Sequence, residues 1–111
     1  MEIPVLVKDE ILKIDHKAEV ILFGSRARGD FRQDSDWDFL ILLERPLSPA
    51  LKDLIREKLY QLELDTNEVI SSLVHNKQEW ESRSVMPIYQ VIQLEGIDAV
   101  TANDKGTSQR H

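Results

Sequence analysis

A glycine and a serine, ten residues, then two aspartates around one tryptophan form the part of this chain best equipped for chemistry: GSRARGDFRQDSDWDFLILL, from Gly24 to Leu43. Asp36 and Asp38 stand at i and i+2 where an apolar stretch begins. On a strand such residues share a face, with Trp37 on the other. Two carboxylates side by side repel each other, and a shared proton or a bound cation relieves them. Oxygen-only donors of this kind suit Mg²⁺ completed by water and phosphate oxygens. Gly24 and Ser25 directly follow the β-branched, apolar segment Glu19 to Phe23. A sharp turn at Gly24 and a helical turn from Ser25 to Asp30 would aim amide groups and a hydroxyl at the strand end, where phosphate is attracted. Arg26, Arg28 and Arg32 either receive a polyphosphate or pair with Asp30, Asp34 and Glu44. The chemistry this run suggests is metal plus phosphate.

Each residue also has a plainer account. Gly24 serves as a tight turn and Ser25 as a helix cap in many proteins, and Asp36 is placed to cap or to pair with Arg28. Asp38 is harder to explain away, because an ionised carboxylate inside an increasingly apolar strand needs a cation or several donors. Trp37 reads as a packing residue. His16 and His75 stand apart from the motif with no ligand spacing, and Trp80 and Tyr89 lie at helical spacing with apolar neighbours, as core or interface residues do.

The elements that must position the motif follow from periodicity. Pro4 suits a first helical turn, and Val5, Leu6, Lys8, Ile11, Leu12 and Ile14 continue at helical spacing. Strands are expected over Glu19–Phe23, over Trp37–Leu43, buried on both faces at its far end, and over Val69–Val74. Ser48 caps an amphipathic helix from Ala50 to Leu64, broken by Asp65, Thr66 and Asn67. Residues 77–95 read as helical, restarting at Pro87 and closed by Gly96. The last stretch, TANDKGTSQRH, is polar and aperiodic and reads as a mobile tail.

The 111 residues allow one compact domain, and an apolar fraction of 41% supports a modest core. With no cysteine, neither a disulfide framework nor a thiolate zinc site is available. A net charge of −6 argues against broad electrostatic binding of nucleic acid. No apolar run has the length of a membrane span and the N-terminus lacks a secretory pattern, so a cytoplasmic protein without membrane contact is expected.

The Gly24-Ser25 pair, the ten-residue spacing, the Asp36-Trp37-Asp38 triplet on an apolar strand and the Ala27-Arg28-Gly29 wording together resemble the minimal nucleotidyltransferase family of the DNA polymerase beta superfamily. Glu79-Trp80 and Leu94-Glu95-Gly96-Ile97 are similar to further family features. The resemblance implies an α/β (α+β) fold, a small mixed sheet flanked by helices, with the nucleotidyltransferase domain over residues 1–98 and the tail over 99–111. It implies that Gly24, Ser25, Arg26 and Arg28 bind a nucleoside triphosphate, ATP being favoured, and that Asp36 and Asp38 hold Mg²⁺ for transfer of a nucleoside monophosphate. Proteins of this size in the family resemble the antitoxin partner of a helical HEPN-type toxin, which would supply the acceptor side chain. A non-catalytic subunit acting by contact, and transfer to a small hydroxylated molecule, are the alternatives. The family's third carboxylate, the general base, is best matched by Glu68, with Asp65 and Glu63 further back. A shifted alignment puts Ser71 there, and no acid.

Overall fold

The computed structural model describes residues 2–100 and the backbone of Ser108–Gln109. Helix α1, Ile3–Ile14, starts with Pro4 in its first turn and buries Ile3, Val7 and Ile11 at a four-residue spacing. Strand β1, Glu19–Phe23, runs antiparallel to β2, Trp37–Leu43, with the single turn α2, Ser25–Arg28, beginning their connection. Helix α3 spans Pro49–Thr66, two residues longer at its C-terminal end than its pattern predicts, because Asn67 adopts a left-handed conformation (φ 58°) and donates its N–H to the Glu63 carbonyl. Ser48 caps the helix start as expected, its hydroxyl accepting the Leu51 N–H at 3.1 Å.

Strand β3 covers Ile70–Asn76, later than the Val69–Val74 expected, and lies parallel to β2. The continuous helical reading of residues 77–95 divides into α4, Lys77–Glu81, and α5, Pro87–Glu95. The break has a local cause: a residue before proline is pushed out of the helical region, and Met86 is extended (φ −75°, ψ 139°). Gly96 does close α5, but with extended backbone. Its lack of a side chain serves close packing instead, since a Cβ there would meet the Ile92 carbonyl oxygen at 2.5 Å and Ile21 Cγ2 at 2.7 Å.

Strand β4, Ile97–Asp98, pairs antiparallel with β1, and β5, Ser108–Gln109, pairs with β4, so the mixed sheet has the order β3-β2-β1-β4-β5. Two residues of the stretch expected to form a mobile tail therefore belong to the sheet. Residues 101–107, 110 and 111, on which the rest of that expectation falls, lie outside the described residues.

Alternation along β2 divides the core. Phe39, Ile41 and Leu43 join α1 and α3 on one face, while Leu40 and Leu42 join Ile21, Trp80, Tyr89 and Ile92 on the other. Full burial of side chains of this kind contributes about 1.5–3 kcal/mol each. Trp80 and Tyr89 stack with ring centroids 5.3 Å apart, which settles both as core of the second face. No helix among the described residues is long and apolar enough to cross a membrane.

Asp15 is the one charged residue among the described residues that is buried as a whole. Its carboxylate accepts the backbone N–H groups of Lys17 (3.0 Å), Glu44 (2.8 Å) and Arg45 (3.1 Å), fastening the α1–β1 turn to the far end of β2. Burial pushes its pKa up, but the three amides, assisted by His16, outweigh burial and hold it below the usual carboxylate value of 3.8. The ionised form is thus favoured in the folded chain, and its contribution is present above the unfolded pKa and lost as pH falls through the folded one. Asp15→Ala is expected to cost about 1–3 kcal/mol at pH 7. Urea melts from pH 7 down to pH 2 check both points: the gap between variant and wild type should close at the acid end.

Candidate active site

The β1–β2 register builds the centre of the site. Phe23, the last residue of β1, lies opposite Asp38, so the chain leaves β1 beside that carboxylate. Gly24 turns with φ 77° and ψ −161°, a conformation L side chains rarely adopt. A Cβ on Gly24 would run into Asp38 Oδ2, so space and backbone each require glycine. Ser25 opens α2 as its first residue, and the Gly24 carbonyl accepts the N–H groups of Ala27 and Arg28, each at 3.1 Å.

Asp36 stands immediately before β2. The Trp37 N–H bonds the Val69 carbonyl at 2.9 Å, and the Ser71 hydroxyl donates to Asp36 Oδ2 at 3.4 Å. Trp37 packs with the α1/α3 core, whereas Asp38 has the parity of Leu40 and Leu42 and faces the other side. Asp38 is held above its usual carboxylate pKa by burial first and by the charge of Asp36 second, with Arg28 pulling the opposite way. The pair therefore carries an unfavourable charge that a cation would relieve. Two carboxylates fit Mg²⁺, which binds through one or two of them and takes the rest of its shell from water and phosphate. Among the described residues no group of three or more His, Cys, Asp or Glu forms a metal-binding cluster.

That last observation removes Glu68 from the position expected for a third carboxylate. Register decides it: Asp38 lies beside Ser71, and Trp37 beside Ile70. Glu68 lines a cavity together with Trp37 and Ile3, on the α1/α3 side, and its carboxylate stands 4.0 Å from Arg26. Asp65 and Glu63 belong to α3, where Glu63 accepts the Ile70 N–H. The residue facing the pair is Ser71, which cannot serve as a carboxylate base.

The Arg26 side chain, expected to contact the nucleotide, is engaged within the protein. Its side chain is 7% exposed, and the guanidinium sits 4.3 Å from the Trp37 ring centroid and 4.5 Å from that of Phe31. It donates to the carbonyls of Gln33 (3.0 Å) and Ser35 (3.0 and 3.3 Å). Arg26 thus clamps the loop that delivers Asp36, combining cation–π contact with carbonyl bonds. Arg28, two residues on, is left at the surface: Nε binds Asp30 and Nη1 binds Glu95, each at 3.2 Å.

Glu95 is the site residue the motif does not announce. Its Oε1 accepts the Gly24 N–H at 3.0 Å across 71 positions of sequence. The Leu94-Glu95-Gly96-Ile97 wording is the one signal in the sequence that marks this stretch, and it carries no indication that the glutamate reaches Gly24.

The nucleotidyltransferase domain family matches residues 6–90. A Methanocaldococcus jannaschii protein, named as a protein adenylyltransferase, is 38% identical over 89 residues, covering 69% of this chain and 83% of its own length. One chain of a toxin-antitoxin crystal structure with AMP-PNP superposes with a TM-score of 0.57 at 18% identity, over 87% of this chain and 73% of that one. Another, from a mutant of the toxin-antitoxin MntA-HpeT, gives 0.56 at 15% identity over 86% and 72%. At such identities the likeness is one of fold, and it agrees with the mixed α/β architecture.

Two substitutions probe this geometry. Gly24→Ala is expected to lower stability by about 1–3 kcal/mol, because alanine must hold a positive φ and displace the Asp38 carboxylate. Chemical denaturation measures it, and wild-type stability would contradict the close approach. Asp38→Asn should act in the opposite direction. With a folded pKa above the unfolded value, Asp38 costs stability as pH rises through the interval between them and at every pH above it. The variant is expected to melt above the wild type at pH 7 without added cation and to lose the rise in Tm that Mg²⁺ gives the wild type. An undiminished response to Mg²⁺ in calorimetry would take Asp38 out of the cation site.

Proposed function

Since this chain belongs to the nucleotidyltransferase domain family and is a nucleotidyltransferase, we propose that it transfers AMP from Mg-bound ATP to a side chain of a helical, HEPN-type protein partner. The observation that carries this reading is the Asp36–Asp38 pair standing against the Gly24–Ser25 turn. Asp36 and Asp38 would hold Mg²⁺, which when bound neutralises phosphate charge and stabilises the departing pyrophosphate. The Ser25 hydroxyl, on the first residue after the Gly24 turn, would bond a phosphate oxygen, and Arg28, at the end of the same helical turn, would add a cationic side chain.

In the transfer, an acceptor oxygen forms a bond to the α-phosphorus as the bond from that phosphorus to the bridging oxygen breaks, and pyrophosphate leaves in line. The chain contributes position and charge. With Ser71 where a third acid would stand, the acceptor's proton passes to water or to a basic group on the acceptor itself. The relative named as a protein adenylyltransferase supports AMP as the group and a protein as the acceptor. The toxin-antitoxin structures of the same fold support a toxin partner. Use of ATP and of such a partner would suit a cytoplasmic reaction.

Ser71 also favours a second reading, in which the nucleotide pocket persists but the chain neutralises its partner by contact. Co-incubation of the two proteins with Mg-ATP, followed by intact mass measurement, separates the readings. The partner is expected to gain the mass of one AMP, and Asp36→Asn to reduce that conversion by at least about a hundredfold, as loss of a metal-binding carboxylate does. A stable complex with no added mass would instead establish neutralisation by contact.

A further inference from the structure

The nucleotide-facing turn and its cation are both anchored by a residue from the opposite end of the chain. We infer that Glu95, at the C-terminus of α5, is a positioning residue that sets the Gly24 turn and aims Arg28 at the nucleotide's phosphates. The inference rests on the proposed nucleotide site and adds to it a residue outside the motif.

One carboxylate oxygen, Oε1, receives both the Gly24 N–H (3.0 Å) and Arg28 Nη1 (3.2 Å), and Oε2 lies 3.4 Å from the same nitrogen. The Gly24 amide is therefore spent inside the protein. Its bond fixes the orientation of the peptide that precedes Ser25, at the residue whose backbone conformation is least restrained by its own chemistry. Without Glu95, Arg28 would be an exposed side chain held by Asp30 alone. Asp30 holds Nε and Glu95 holds Nη1, which leaves Nη2 without a partner among the described residues. The guanidinium is planar, so two fixed nitrogens fix the direction of the third. Arg28 ends the helical turn that Gly24 opens against Asp38, its N–H bonded to the Gly24 carbonyl at 3.1 Å, so the cation belongs to the same turn that adjoins the carboxylates.

Glu95 itself is well supported. It ends α5, and Ile92 one turn earlier is buried in the second core face. The next residue, Gly96, packs against Ile21 of β1 and leads straight into β4, which pairs with β1. The side chain is 19% exposed, and its bonds to Gly24 and Arg28 hold it in place.

Calorimetric titration of Mg-ATP into wild type, Glu95→Ala, Glu95→Gln, Arg28→Gln and the Glu95→Ala/Arg28→Gln double variant tests the inference, with hydrogen exchange of the Gly24 amide read by NMR. Glu95→Ala is expected to weaken Mg-ATP at least about tenfold, the loss of one charge-assisted hydrogen bond, and to expose the Gly24 amide to exchange. Glu95→Gln, whose amide oxygen still accepts from Gly24, should keep that amide protected and fall between the two in affinity. In the Arg28→Gln background, Glu95→Ala should weaken binding by clearly less than it does alone, because part of its effect passes through Arg28. Wild-type affinity in Glu95→Ala, a gain in affinity, or full additivity with Arg28→Gln would each overturn the positioning role. Failure of the wild type to bind Mg-ATP would overturn the nucleotide reading instead, and the exchange result would still report whether Glu95 sets the turn.

Discussion

Two like charges held at the rim of a buried strand are the constraint around which this molecule is arranged. Asp36 and Asp38 flank the first residue of β2, and the strand beyond them is fully buried. Pairing with β1 fixes the backbone that carries Asp38, and a Cβ at Gly24 would meet its carboxylate. Its carboxyl is accordingly held above the ordinary range by burial and by Asp36. A protein that only had to be stable would remove one of the two charges. Retaining both makes sense where an external cation and a polyanion complete the set.

Support for that constraint comes from both faces of the sheet, by different physics. On the α1/α3 face, Arg26 is sandwiched between Phe31 and Trp37 and ties two carbonyls of the loop just ahead of Asp36. On the α4/α5 face, Glu95 ties the turn on the other side of the site through a carboxylate. The two arginines of the motif, two residues apart, have thereby separated in role. Arg26 turns inward and is spent on structure, while Arg28 stays outward with a nitrogen still to offer.

Ser71 shows how a single register choice shapes chemistry. Parallel pairing of β2 with β3 places Asp38 level with Ser71 and Trp37 level with Ile70. Moving β3 by one residue would exchange the faces of every side chain on it, burying Ser71 and turning Ile70 to the carboxylates. Burial of Ile70 against α3 and the bond from its N–H to Glu63 oppose such a slip. The hydrophobic fit of the far face thus dictates that a hydroxyl, and not an acid, meets Asp36.

Local pattern in the sequence was enough to establish the motif and most of its frame. The Gly24 turn, strand β2 from Trp37 to Leu43, the Ser48 cap and the shared face of Asp36 and Asp38 all follow from short-range rules of backbone geometry, sterics and alternation, which operate within a few residues. What only the tertiary structure decided is which distant side chains complete the site. Arg26 and Arg28 are alike in sequence, and their opposite fates depend on Phe31 and Trp37 closing over one of them. Glu68 is the best acid for the third position by sequence because it stands directly ahead of the expected strand, whereas a strand's start is set by pairing with its neighbour, not by its own composition. Glu95 reaches Gly24 only because β4 returns antiparallel to β1 and brings the end of α5 over the turn. Contacts across so many positions arise from packing, and no spacing in the chain encodes them.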